Sequence, residues 1–212
     1  MTIYNTLVGV CAGLVLLTVA DAVRRYPHVV FPGHSIALLI TGGPLTVLSV
    51  VGALTWPLTV KPPINIAFFE PSVMLGFLAL VGAASLLHRG DTPFERATIV
   101  RIRPALWIVF TIGLMLISIA SAIFSYNLVG DAPAGEPLTS RFPGWENPAF
   151  GVSYLLAAAG CLATPRSELI AARFVMRWSW TLSGAFFLLF SILNYRTHIG
   201  LLENSNGAHY RW

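Results

Sequence analysis

Long stretches without a charged side chain constrain this chain more than any other feature. Six stretches of the 212 residues contain no Asp, Glu, Lys, Arg or His. They are 1–20, 35–60, 71–87, 104–130, 147–165 and 178–195. A helix needs roughly 20 predominantly apolar residues to cross the hydrocarbon core of a bilayer, and about 17 suffice at the lower limit. Each stretch, with short flanking additions, is therefore long enough for one transmembrane helix.

The remaining residues offer too little polar surface for a water-soluble domain. Hydrophobic residues make up 56% of the chain and charged residues 10%, with a mean hydropathy of +0.73. Soluble domains carry about 25% charged residues. A backbone in lipid must satisfy its own hydrogen bonds, and uninterrupted apolar runs lack the alternation of barrel strands. We therefore predict an all-α integral membrane bundle of about six helices, with 1–212 as a single transmembrane domain.

The predicted spans adjust the charge-free stretches to helix length. They cover 4–23, 34–56, 71–88, 104–126, 148–164 and 174–197. The segments between them predict two long loops, 57–70 and 127–147, and a tail, 198–212, all on one side of the membrane. Prolines recur in both loops and prevent continuous helix there.

Basic residues are unevenly divided between the two sides of the predicted bundle. Nine arginines lie in or next to the loops that follow the first, third and fifth spans. The other side has Lys61, Arg141, Arg196 and Arg211. The positive-inside rule places the nine in the cytoplasm and both termini outside. We therefore predict a multi-pass protein of the bacterial cytoplasmic membrane, with the loops 57–70 and 127–147 facing outward.

The net charge of +4 is dispersed over loops, which is not the concentrated basic patch of a nucleic-acid-binding protein. No nucleic-acid partner is predicted. Arginines at a cytoplasmic membrane boundary are typically in contact with anionic lipid headgroups. We predict that contact for Arg24, Arg25, Arg96, Arg101, Arg103, Arg173 and Arg177.

The sequence lacks the usual signatures of soluble enzymes. It contains no phosphate-binding glycine loop, no nucleophile elbow, no paired-cysteine metal site and no HExxH pattern. We predict no catalytic residue and no cofactor other than bound lipid, and we expect no catalytic activity of the chain's own.

Two polar features fall inside the predicted spans. Gly42, Gly43 and Pro44 interrupt the second span, and transporters use such broken helices to expose backbone groups to ions or substrates. A simple packed kink explains the same residues. Thr111, Ser118, Ser121 and Ser125 follow one face of the fourth span. They indicate either a polar path, together with Glu70, or close helix packing.

Glu70 is the most informative polar residue of the loop 57–70. It directly precedes Pro71, which suits the first turn of a third span starting at 71, and a carboxylate there caps the helix. The alternative is an ion-path or metal-binding role, because carboxylates near membrane depth are costly and often functional. His198 and His209 lie on the same predicted side and would be its partners in a metal site.

Aromatic and charged residues of the outer loops and tail are candidates for docking a partner. A long irregular loop without regular structure is typically functional or partner-binding. The predicted docking residues are Trp56, Phe68, Phe69, Trp145, Glu146, His209 and Trp212.

Two neighbouring motifs carry a family resemblance. The segments Thr55-Trp56-Pro57-Leu58 and Asn65-Ile66-Ala67-Phe68-Phe69-Glu70-Pro71-Ser72 resemble those of small prokaryotic membrane proteins catalogued as domain of unknown function 981. The likeness covers about the first two-thirds of the chain, with Phe69, the acidic loop and the tail as departures. It implies a multi-span topology and brings no catalytic residues.

The leading functional hypothesis is an accessory or structural subunit of a bacterial multi-subunit membrane complex, with an oxidoreductase assembly as one candidate. Its partners would be other membrane subunits, contacted through the outer loops, the tail and small-residue helix faces. The first alternative is a small transporter or channel that uses the Gly42-Gly43-Pro44 break and Glu70. The second is a membrane enzyme with an outward metal site at Glu70 and His198.

Overall fold

The computed structural model describes residues 2–58, 61–130 and 138–204, and this part of the chain is all-helical. The long helices are α1 Thr2–Arg25, α2 Gly33–Thr55, α3 Pro63–Arg89, α4 Arg96–Tyr126, α5 Glu146–Ala163 and α6 Ile170–Asn204. Two short 3-10 turns, Thr139–Arg141 and Thr164–Arg166, precede and follow α5. All six long helices have the length and apolar composition to cross a membrane. The predicted six-helix, multi-pass membrane architecture is confirmed.

The helices form a ring in chain order. Helix α1 packs extensively against α6 and also against α2, α2 packs against α3, and α5 packs against both α4 and α6. Helix α3 also contacts α1 directly, and a smaller contact between α3 and α4 completes the circuit. Because consecutive helices run in opposite directions, the arginine-bearing loops after α1, α3 and α5 gather at one end of this helix ring, which we call the arginine-rich end.

Helix α3 is longer than the sequence predicted, and the predicted loop 57–70 is wrong over most of its length. The helix begins at Pro63, where a missing backbone N–H costs nothing. The buried Asn65 side chain fixes this start: its Nδ2 donates to the carbonyl oxygens of Leu58 (3.0 Å) and Pro62 (2.8 Å), and its Oδ1 accepts from the Leu58 N–H.

Pro71 therefore lies inside α3 and not at its start. A proline in a helix leaves the carbonyl four residues earlier without its N–H donor, and in lipid no water can replace it. That carbonyl belongs to Ala67, and the buried Tyr154 hydroxyl of α5 donates to it at 2.7 Å. A side chain from another helix thus replaces the missing backbone donor and allows α3 to continue through Pro71.

The longer α3 removes the predicted capping role of Glu70. Glu70 is an exposed residue within the helix, and the first turn is formed by residues that follow Pro62. The prediction took Pro71 as the helix start because proline is common there. It was wrong because the compensating donor, Tyr154, is remote in sequence.

Two other helix boundaries also differ from the predictions. Helix α4 begins at Arg96 and contains Pro104, which was the predicted first residue. Helix α6 runs from Ile170 to Asn204, so the start of the predicted tail is helical. His209 and Trp212 lie outside the described residues.

Glycines allow the closest helix contacts in the helix ring. A Cβ atom at Gly13 of α1 would lie 2.6 Å from the Leu188 backbone nitrogen and 2.7 Å from the Gly184 carbonyl oxygen, both in α6. Gly42 has the same function between α2 and α3, since its Cβ would lie 2.8 Å from Cβ of Ala79. A Cβ at Gly43 would have no neighbour within 4 Å, and Pro44 is exposed. The Gly-Gly-Pro break thus combines one packing contact with two residues on the outside of the bundle.

Gly13→Ala is expected to destabilise the protein, because the added methyl group meets backbone atoms that cannot rotate away. Overpacking of this kind costs about 1–3 kcal/mol. Gly82→Ala in α3 is the matched control, since its added Cβ would meet only Leu38 Cδ1 at an ordinary contact distance of 3.5 Å, and it is expected to be neutral or stabilising by about 0.5–1 kcal/mol. Thermal unfolding of both variants in detergent measures the difference. Equal midpoints would contradict the close contact between α1 and α6.

Tyr154→Phe is expected to cost about 1–3 kcal/mol, because it leaves the Ala67 carbonyl without a donor. Pro71→Ala restores the backbone N–H that normally reaches this carbonyl. In the Pro71→Ala background, the Tyr154→Phe cost should fall to a fraction of its value, and unfolding of the four proteins in a double-mutant cycle measures the coupling. Additive effects would show that the hydroxyl does not compensate for the proline.

Candidate ligand-binding cavity

A cavity of about 300 Å³ lies inside the helix ring. Five helices line it, namely α1, α3, α4, α5 and α6, together with Val129 just after α4. Within the described part of the chain, α2 is the one long helix that contributes no lining residue. Ligand sites in proteins are typically concave, mostly apolar and 300–1,000 Å³ in volume. The cavity is therefore large enough for a small or slender molecule.

The cavity extends lengthwise from one end of the bundle to beyond its middle. Its lining on α3 runs from Ile64 to Leu78, about 21 Å of helix at 1.5 Å per residue. On α5 it runs from Glu146 to Cys161, about 22 Å on the same scale. Ile64 and Glu146 lie at helix starts opposite the arginine-rich end. The long axis of the cavity therefore follows the helix axes.

The inner part of the cavity is apolar. Its walls are formed by aliphatic side chains and one thiol, with Leu116 and Cys161 buried on the neighbouring helices α4 and α5. The members of this set are Leu16, Leu75, Leu78, Ile112, Leu116, Ala157 and Cys161. Such walls exclude ions and favour hydrocarbon, because a polar group placed there would lose its hydrogen bonds to water.

Polar side chains line the other part, which we call the mouth and define by Glu146, Ser191, Asn194, Thr197 and His198. Four of these residues lie on successive turns of α6, and Glu146 is the first residue of α5. The Nδ1 atom of His198 is 3.4 Å from the Thr6 hydroxyl oxygen, a distance consistent with a hydrogen bond between α6 and α1. Thr197 is buried, and its hydroxyl donates to the Asn194 carbonyl at 3.3 Å.

An aromatic cluster lies between the mouth and the apolar walls. Phe150 is at its centre, and its ring centroid lies 4.8 Å from Phe190 and 5.2 Å from both Phe68 and Phe186, with interplanar angles of 76–87°. Trp145 contacts Phe190 edge to face at 5.9 Å. Edge-to-face contacts of this kind hold aromatic rings in defined orientations. The cluster therefore gives the cavity a rigid aromatic wall next to its polar groups.

The structure separates the predicted ion-path residues from this cavity. Gly42, Gly43 and Pro44 belong to α2, which does not border it. The hydroxyl stripe of α4 is exposed on the outside of the bundle and makes neither an inner path nor a helix contact within the described chain. The stripe consists of Thr111, Ser118, Ser121 and Ser125.

The predicted metal ligands are likewise not brought together. Glu70 is exposed and is not a lining residue, whereas His198 lines the mouth. His209 lies outside the described residues. Among residues 2–58, 61–130 and 138–204, no three His, Cys, Asp or Glu side chains are grouped so that they could hold a metal ion.

The predicted docking residues have different environments. Trp56 is 44% exposed, and its role in docking stays a prediction. Phe69 is fully buried against Gly52 of α2, and Phe68 packs on Phe150, so the prediction that these two phenylalanines face a partner is wrong. Glu146 lies at the mouth, Trp145 contacts the lining residue Phe190 without lining the cavity itself, and His209 and Trp212 are outside the described part of the chain.

At the arginine-rich end, several arginines predicted to contact lipid bind other parts of the chain. Asp21 accepts hydrogen bonds from Arg24 and Arg25, and its Oδ2 lies 3.1 Å from Nε2 of the buried His34. Arg96 and Arg101 are exposed, and Arg177 lies over the Trp178 ring. For these three arginines, lipid contact stays a prediction.

The other two arginines link α6 to its neighbours. Arg103 pairs with Glu168 at 2.9 Å. Arg173 donates to the Ser167 and Glu168 carbonyl oxygens and covers the Tyr26 ring at 4.4 Å. These contacts tie α4, α1 and the start of α6 together, so the two guanidinium groups have structural partners within the chain.

Sequence reasoning missed the main cavity residues. These residues lie in apolar spans, where single polar or aromatic residues are common, and they are Phe150, Tyr154, Ser191 and Asn194. The one usable signal was the aromatic pair Phe186-Phe187 followed by Phe190 and Ser191, which places rings and a hydroxyl on adjacent turns of the sixth span.

Comparison with known proteins identifies a family from a match over almost the whole chain. The family model described as "Protein of unknown function (DUF981)" matches residues 1–200, which is more than the two-thirds that the motifs around Trp56 and Glu70 indicated. The matched range includes the acidic loop 127–147, whose departure from the family pattern stays a prediction. No curated protein and no solved structure matches the chain. This six-helix membrane protein belongs to the DUF981 family.

Proposed function

We propose that the protein binds one single-chain amphiphile inside its helix ring. The supporting observation is the gradient along the cavity, from a mouth with Glu146, Asn194 and His198 to apolar walls around Leu116 and Cys161. A molecule with a polar head and one hydrocarbon tail satisfies both parts at once. The gradient also sets its direction, with the tail pointing toward the arginine-rich end.

The dimensions favour one chain over two. The volume of about 300 Å³ is spread over about 21–22 Å of helix length, so the cavity is long and narrow. Its volume is also at the lower end of the range for small-molecule sites. A bilayer phospholipid with two acyl chains is too bulky, whereas a single acyl or isoprenoid chain matches the shape.

Leu116→Trp tests this proposal by filling the apolar part of the cavity. Leu116 is buried and lines it, whereas Leu114 on the same helix is 51% exposed and provides the control Leu114→Trp. The protein is purified gently from native membrane, extracted with solvent and analysed by mass spectrometry. A single-chain amphiphile is expected at near-stoichiometric amounts with wild type and with Leu114→Trp, and reduced at least tenfold with Leu116→Trp.

Either of two results would overturn the proposal. One is equal recovery of the amphiphile from Leu116→Trp and Leu114→Trp, which would place the molecule on the outer surface. The other is wild-type protein that carries no stoichiometric amphiphile and binds none when it is added back.

A second proposed role, as an accessory subunit of a membrane complex in the cytoplasmic membrane, is supported by the outward stripe on α4. Ser118, Ser121 and Ser125 are exposed where lipid tails offer no hydrogen-bond partner. Hydroxyl-bearing and small residues are the ones that membrane helices use to contact each other. A helix of another subunit is the partner that this face would suit.

The double substitution Ser118→Leu and Ser121→Leu tests the accessory role. It is expected to abolish comigration with a partner in native gels of mildly solubilised membranes, because bulky side chains prevent close helix approach. Ser85→Leu is the matched control, since Ser85 is an exposed serine of α3. Unchanged comigration of the double variant would remove α4 as the docking face.

A further inference from the structure

We propose that the head of the bound amphiphile is a neutral planar ring with hydrogen-bond acceptors, of the quinone class. This inference rests on the proposed function and names the ligand of the same cavity. It is carried by three features of the mouth: its charge, its aromatic wall and the positions of its polar side chains.

The charge of the mouth disfavours an anionic head. None of the described lining residues is Lys or Arg, and Glu146 places a carboxylate at the rim. A phosphate or carboxylate head would lose its hydration there and would meet no Lys or Arg among the described lining residues, which is a large cost in a low-dielectric site. Fatty acids and lysophospholipids are therefore poor matches, and a neutral head fits best.

The aromatic wall favours a flat head. Phe150 and Phe190 line the cavity next to the mouth, and their rings are nearly perpendicular, with an interplanar angle of 87°. Such a pair offers the face of one ring and the edge of the other to a planar group beside it. A saturated alcohol or ether head would gain only ordinary van der Waals contact from the same wall.

The polar side chains suit carbonyl acceptors. Asn194 and His198 are one turn apart on α6, and Ser191 lies one turn deeper on the same helix, against Gly9 of α1. Amide, imidazole and hydroxyl groups all act as donors. Residues spaced by three or four positions share one face of a helix, so these donors approach the head from the same side.

Three probes with the same alkyl chain test the head specificity: a decyl-substituted benzoquinone, decanoate and decylammonium. The full-length protein in nanodiscs is titrated with the quinone while tryptophan fluorescence is recorded, because quinones quench indole emission at short range. Saturable quenching is expected, and decanoate and decylammonium should compete at least tenfold more weakly than the quinone itself.

The quenching also reports the position of the head. Trp145 contacts Phe190, which lines the cavity next to the mouth, so Trp145→Phe should remove most of the saturable component. Trp107→Phe is the control, since Trp107 is exposed on α4 near the arginine-rich end. Equal loss of quenching in both variants, or loss in neither, would overturn placement of the head at the mouth.

Asn194→Leu and His198→Leu are each expected to weaken quinone binding roughly tenfold, the equivalent of one hydrogen bond to a buried carbonyl. Tyr195→Leu is the control, because Tyr195 lies beside them on α6 and is 39% exposed. If Asn194→Leu fails to fold, Asn194→Ser supplies the same test with a smaller side chain.

The outcomes separate this inference from the proposed function. Equal or stronger competition by decanoate or decylammonium overturns the quinone head and leaves single-chain amphiphile binding intact. Quinone affinity unchanged by both α6 substitutions also overturns it. If none of the three probes binds saturably and the purified protein carries no amphiphile, both proposals fail.

Discussion

The architecture depends on the requirement that every backbone hydrogen bond inside a membrane be satisfied by the protein itself. Pro71 breaks this rule at the Ala67 carbonyl, and the Tyr154 hydroxyl restores it from another helix. That one contact allows α3 to start at Pro63 and places Ile64 and Phe68 along the cavity. The same hydrogen bond fixes α5 against α3. Phe150 of α5 and Phe68 of α3 then pack together as part of the aromatic wall.

Much of the fold could be predicted from the sequence, because the cost of burying charge in lipid acts on each span separately. The six charge-free stretches identified six helices, and the motif around Trp56 and Glu70 identified the family. The errors occurred where one span depends on another. The sequence pattern predicts helix starts at Pro71 and Pro104, but both prolines lie inside helices. Neighbouring residues do not reveal the remote hydroxyl that lets α3 continue through Pro71.

The cavity lies beyond such local reasoning for the same physical reason. Its walls combine single residues from five helices, and each is unremarkable in its own span: a serine at 191, an asparagine at 194, a leucine at 116. Only the order of helices around the ring brings them together. Conversely, the residues most conspicuous in the sequence, Glu70 and the α4 stripe, are on the outside.

The contact between α1 and α6 has a consequence for biogenesis. Glycine at position 13 lets α1 reach the backbone of α6, so the wall around the cavity is joined between these two helices. Because a chain is made from its N-terminus onward, the compartment stays open sideways to the bilayer until α6 has been inserted. An apolar molecule can therefore enter the cavity sideways from the bilayer during synthesis. Insertion of α6 then encloses it, and the molecule does not have to pass through the mouth.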